Sequence, residues 1–195
     1  MRRFLLPFTL ALLAGCIGSP APHFYQLPAP QARLHPAASG PAVLLGPLQL
    51  ADYLQRESLL QRRDEQRLDI SPDARWAGSL QDDVGNLLLT TLARQLPSGN
   101  LALYPDRIGF RADAQVILQI ARLDSGPTQP AVLQAHWRLL DADGRQRSAD
   151  VLRLEQRHDG SLDGQVAAQG QLVVRLGERL AEAIRALPAH RADGS

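Results

Sequence analysis

Lysine is absent from this chain of 195 residues: all 21 basic residues are arginine, set against 20 acidic ones, for a formal net charge of +1. We read the missing lysine as a genomic composition bias. The near-zero balance excludes the basic excess that marks nucleic-acid binders, and a 5% aromatic content leaves little for a base-stacking platform. A lone cysteine, Cys16, excludes an intramolecular disulfide and any cysteine-based zinc cluster. The apolar run from Phe4 to Leu13 falls short of the about 20 residues that a spanning helix needs. What is present is ordinary for a globular protein: 45% hydrophobic and 21% charged residues, enough to argue against whole-chain disorder.

The position of the cysteine organises the N-terminus. Met1-Arg2-Arg3 is positively charged, the apolar run follows, and Leu13-Ala14-Gly15-Cys16 closes it. This is the order of an export signal, and the last four residues look like a bacterial lipobox. Small residues admit the peptidase, and the cysteine thiol carries the diacylglycerol. On this reading residues 1–15 are a lipoprotein signal peptide and Cys16 is the lipidation site. Removal of residues 1–15 leaves 195 − 15 = 180 residues and takes away Arg2 and Arg3, so the mature balance is 19 − 20 = −1. Several acyl chains on one residue give stable anchoring. Ile17, where an aspartate would resemble an inner-membrane retention signal, points to the outer membrane, periplasmic face.

Residues 16–41, with Pro20, Pro22, Pro28, Pro30, Pro36 and Pro41, read as a lipidated, Pro/Ala-rich tether, with Phe24-Tyr25-Gln26-Leu27 as a short strand that could dock on the domain. Residues 42–188 read as one domain and 189–195 as a tail. A chain of this length buries about 70% of its unfolded surface, ample for one core. Ala42 to Leu50 reads as a strand bent at Gly46-Pro47, and Leu59 to Arg63 with Gln66 to Ile70 as a hairpin. Ser71-Pro72-Asp73 carries the marks of a helix start, and Trp76, Leu80, Val84, Leu87, Leu88, Thr91 and Leu92 continue at helical spacing. Leu101 to Tyr104 is a short strand. Gln115 to Leu123, apolar at successive positions, reads as a central strand covered on both sides. Ala131 to Leu140 alternates, Asp141 to Gly144 is a hairpin turn, and Ala149 to Arg157 returns as a polar edge strand. Val166 to Leu187 marks a second long helix. Strands, helix, strands, helix describe an α/β (α+β) single domain, a mixed sheet covered by two long helices.

Reactive constellations do not emerge. His23, His35, His136, His158 and His190 are scattered, Asp141-x-Asp143-Gly144 lacks the later ligands of a calcium loop, and Asp82-Asp83 diverge by about 100° on a helix. No Gly-x-Ser-x-Gly elbow occurs. The expectation is a protein that is not an enzyme, with no catalytic residues, no metal and no cofactor.

Three segments stand out: Phe24-Tyr25-x-Leu27, Leu50-Ala51-Asp52-Tyr53-Leu54-Gln55-Arg56 after the first domain strand, and Ala74-Arg75-Trp76-Ala77-Gly78-Ser79-Leu80, which reads as the opening of the first helix. With Trp137 and Asp141 to Gly144, they resemble the ABC-type transport auxiliary lipoprotein family in order and spacing over roughly residues 23 to 187. The family includes PqiC-like, MCE-associated outer-membrane lipoproteins, and Gly78-Ser79 departs from its pattern. The resemblance implies a three-layer α/β fold and a non-enzymatic subunit. Its partners would be the membrane, an MCE-domain protein and inner-membrane transporter subunits, with a homo-oligomeric ring suited to a ring-shaped partner and no nucleic acid. The alternative is a self-contained periplasmic lipid carrier or lipopolysaccharide-assembly lipoprotein. Asp52, Tyr53, Arg56, Arg75 and Trp76 read either as an architectural knot, aromatics buried and Asp paired with Arg, or as a partner interface holding Tyr53 and Arg56.

Overall fold

A computed structural model describes residues 21–28, 40–96, 98–106 and 108–188. These form strands β1 (His23–Tyr25), β2 (Val43–Leu50), β3 (Ser58–Arg62), β4 (Leu68–Trp76), β5 (Leu101–Leu103), β6 (Ala114–Gly126), β7 (Gln129–Asp141) and β8 (Gln146–Gln156), with helices α1 (Leu80–Gln95) and α2 (Leu162–Arg185). β6 holds the open, mixed sheet together. It pairs antiparallel with β7 along its length, parallel with β2 over its first half, and parallel with β3 only at its end, where Gln61 meets Ser125. β8 extends the sheet beyond β7, β5 lies beyond β2, and β4 and then β1 lie beyond β3.

Each element follows from local chemistry. β7 alternates as its sequence requires: Leu133, Ala135, Trp137 and Leu139 are buried while His136 and Arg138 are exposed. Asp141 to Gly144 turns the chain, with Gly144 at a φ of 74° and Asp141 accepting from the amides of Asp143 and Arg145. β8 is the polar edge. β2 breaks register between Leu45 and Leu48, around Gly46-Pro47. Gly46 is needed there: its φ is 119°, and a Cβ would sit 2.8 Å from the Tyr104 Cβ.

The first helix starts later than its signals predict. Ser71-Pro72-Asp73, Arg75 and Trp76 belong to β4, and α1 begins at Leu80 with Ser79 as its cap, accepting from the Asp82 amide at 3.2 Å. The local capping pattern loses to sheet pairing on both sides of β4. Pro72 lies between Ile70 and Arg75, where the pairing with β3 jumps register, a place where a missing N–H breaks no regular ladder bond. α2 opens on Ser161, which accepts from the Gly164 amide at 3.0 Å.

Both helices lie on the same face of the sheet. Leu48 and Gly85 bring α1 onto β2, the inward residues of β7 meet α2, and the helices cross where Gly177 faces Thr91. The opposite face of β6, β7 and β8 carries Gln119, His136, Arg138, Val151 and Arg153, all exposed. Among the described residues the arrangement is therefore the expected mixed α+β single domain, two long helices covering an open, eight-stranded mixed sheet. For the same reason β6 is central but covered on one side over most of its length, and on both only at its end, where Leu123 to Gly126 are all buried.

The crossing has a testable consequence. A Cβ on Gly177 would lie 2.8 Å from Thr91 Cγ2 and 2.9 Å from its Cβ. Gly177→Val should separate the helices and lower unfolding stability by about 1–3 kcal/mol, read as a drop in the urea midpoint.

Candidate functional site

Asp124, 1% exposed near the end of β6, accepts four side-chain hydrogen bonds among the described residues. Tyr53, in the 3-10 turn Asp52–Leu54 after β2, donates its hydroxyl to Asp124 Oδ2 at 2.8 Å. Arg62 of β3 makes a two-pronged contact, Nε to Oδ1 and Nη2 to Oδ2, each at 2.8 Å. Arg122 Nε adds a fourth bond to Oδ1 at 2.9 Å. Arg62 also donates through Nη1 to the carbonyls of Asp64 and Glu65 at the tip of the β3–β4 hairpin. Burial alone would push the Asp124 carboxyl up. The hydrogen bonds from Arg62 and Tyr53, and the charges of Arg122 and Arg62, overcome it and hold the group below the usual carboxylate range. Burial, then the Asp124 charge and hydrogen bond, raises the Tyr53 phenol. Next along β6, Ser125 Oγ donates to Gln165 Oε1 at 3.2 Å and accepts from Gln169 Nε2 at 2.8 Å, tying α2 to the same strand end. Four donors occupy the carboxylate, so this cluster clamps elements together and leaves no free base.

A second feature is the docking of the segment just before the described chain breaks at residue 29. β1 adds to β4 in parallel, and the Tyr25 carbonyl accepts from the Ala77 amide at 2.7 Å. Gln26 Nε2 and the Leu27 amide donate to the two carboxylate oxygens of Asp83 in α1, at 3.1 and 3.4 Å. Leu27 is buried, and Pro28 packs so closely on α2 that a Cβ on Gly170 would meet its ring at 2.8 Å. Of the pair Asp82-Asp83, Asp82 is exposed while Asp83 holds this strap.

Beside the strap lies an open groove of about 550 Å³. Its walls include Phe24, Arg56, Glu57, Arg75, Trp76 and Ser79. Phe24 and Arg75 are register partners on parallel strands, so their side chains stand on the same side. Phe24 is 66% exposed, whereas Trp76 turns inward and is 7% exposed.

The model of the family described as "ABC-type transport auxiliary lipoprotein component" matches residues 25–181, nearly all of this architecture. The chain belongs to that family. Among solved structures, a crystal structure of an uncharacterized protein aligns with a TM-score of 0.66 at 19% identity, covering 84% of this chain and 99% of its own. Protein XCC0632 from Xanthomonas campestris aligns with a TM-score of 0.61 at 18% identity, covering 82% and 92% respectively. These likenesses concern the fold. A search of curated proteins finds no match.

In this auxiliary lipoprotein the residues singled out by sequence divide between the two features. Cys16 lies outside the described residues. Arg56, Arg75 and Trp76 come together at the groove, while Tyr53 belongs to the buried cluster. Asp52 is exposed and forms no ion pair among the described residues, and neither does Arg56. The expected Asp–Arg pairing of the knot is instead made by Asp124 with Arg62 and Arg122. That pairing clamps strand β3 to strand β6. Asp124 escapes sequence reading because its partners are 62 and 71 positions away. The signal for it was the acid directly after Leu123, where the apolar stretch of β6 ends.

Asp124→Asn should leave Arg62 buried against a neutral partner and cost about 3–5 kcal/mol at neutral pH in denaturant unfolding. Because the folded carboxyl lies below its unfolded value of about 4, its stabilisation is full above that pH and is lost as pH falls through the folded value. The stability gap between the native chain and Asp124→Asn should therefore narrow in acid.

Proposed function

We propose that this protein is a lipid-anchored auxiliary subunit on the periplasmic face of the outer membrane, serving an MCE-containing ABC-type lipid-transport system. It acts by holding partners in position and carries out no covalent chemistry. Membership of the auxiliary lipoprotein family supports the transport role. The observation that carries the positional reading is the strap. The chain that follows the lipobox is paired to β4, bonded to Asp83 and buried at Leu27, so the anchor is connected to the body of the domain with little slack.

Cavity size favours docking over the carrier alternative. Among the described residues, the hollow beneath Trp76 and Tyr53 has about 10 Å³, room for one water and far too little for an acyl chain. The groove at Arg56 and the hollow at Pro127 to Gly160 are open to solvent. A carrier should retain lipid through native mass spectrometry of the purified protein, and a docking subunit should not.

Affinity capture from detergent-solubilised envelopes should recover an MCE-domain protein together with transporter subunits. Recovery of neither would count decisively against this function. Cys16→Ala should move the protein from the membrane fraction to the soluble one.

A further inference from the structure

We propose that the corner formed by Phe24, Arg56 and Arg75 rests on the lipid headgroups of the membrane that holds the anchor. This deepens the function proposed above and rests on Cys16 being the acylated residue. The first argument is length. From Cys16 to His23, where β1 is fixed against Ala74, there are 23 − 16 = 7 residue steps, at most about 25 Å whatever their conformation. A domain of residues 42–188 has a radius of gyration of about 15 Å, hence a diameter of about 38 Å. To place β1 on the side away from the bilayer, the chain would have to run half the circumference, about 60 Å. The tether is less than half of that, so the face bearing β1 is confined to the membrane side.

The second argument is what that face carries. Phe24, an aromatic 66% exposed on a short edge strand, stands on the same side as Arg75, its register partner across the parallel pair and a fellow wall of the groove, whose Nη1 donates to the carbonyls of Ser71 and Ala74. Arg56 lines the same groove and forms no ion pair among the described residues. Glu57 stands there as well, leaving two cations to one anion. An apolar ring flanked by guanidinium groups suits the headgroup layer, where the ring meets the acyl boundary and arginine takes phosphate oxygens in two-pronged fashion. A protein partner would also accept such groups, but the short tether brings lipid to this face without further assembly.

The test uses the acylated full chain, in which Cys16 is blocked, in vesicles of phosphatidylethanolamine and phosphatidylglycerol. Nitroxide labels are placed at Arg56→Cys and, as reference, at Asp143→Cys. Asp143 lies in the β7–β8 turn beside the start of β6, whereas the turn that leads to Arg56 is bonded at Ala51 to Ile120, six residues further along that strand, roughly 20 Å away. Relaxation by oxygen relative to a water-soluble nickel chelate should be several-fold greater at position 56 than at 143, and Phe24→Ser should reduce that difference. Equal, aqueous values at both labels on vesicle-bound protein would overturn the proposal. So would immobilisation of the 56 label only after solubilised envelope proteins are added, which would assign the face to a partner. If the protein does not sediment with vesicles and Cys16 reacts as a free thiol, the anchor reading itself has failed, an outcome distinct from the other two.

Discussion

Asp124 sits where β6 exchanges one neighbour for another, and the fold depends on what its carboxylate holds. Over its first half β6 is hydrogen-bonded to β2; at its end a single registered pair, Gln61 with Ser125, joins it to β3. One ladder contact is a weak seam for a sheet that must also carry β4 and β1. The side chains supply the missing bonds: Arg62 reaches across from β3, Tyr53 comes from the turn after β2, and Arg122 from β6 itself. Removing an ion from water costs several kcal/mol even after relaxation, so the four bonds serve first to offset burial. What they add beyond that is geometry. A two-pronged guanidinium–carboxylate contact admits one register of β3 on β6, which an apolar pair of similar volume would leave less defined.

That register has consequences at a distance. With β3 placed, the hairpin delivers β4, and β4 offers the edge on which β1 lies. The same placement sets the start of α1, so that Asp83 can receive Gln26 and Leu27. Buried charge, hairpin, strap and groove form one chain of dependence. Asp124 is far from the groove in sequence, yet it decides where Arg75 and Phe24 stand.

Much of this was legible in the residues. The alternation in β7, the Asp141 to Gly144 turn, the break at Gly46-Pro47, the docked strand at Phe24 and the apolar stripe of α2 are all local patterns, and local patterns report local structure. The failures share a cause. Ser71-Pro72-Asp73 has every mark of a helix start, but β4 is stabilised by pairing partners 6 to 51 positions away in the chain. Consecutive apolar residues in β6 look like burial on both faces, yet Ile117 is only partly covered because both helices chose the other side. Asp124 with Arg62 and Tyr53 is a contact between three elements, invisible to any short window of sequence. The motif residues were recognisable as a set, but their division was not.

That division is informative in itself. Tyr53 and Trp76 turn inward, one onto Asp124 and one beneath the groove, while Arg56 and Arg75, three and one positions away, turn outward. A strand reverses the direction of each successive side chain, so neighbouring residues in β4 serve opposite faces. An Arg-Trp pair there encodes an architectural residue and a surface residue in adjacent positions. The architectural reading and the interface reading of these segments therefore do not compete. Packing of Trp76 holds β4 in place, and only because it is held does Arg75 stand beside Phe24 as part of a defined surface.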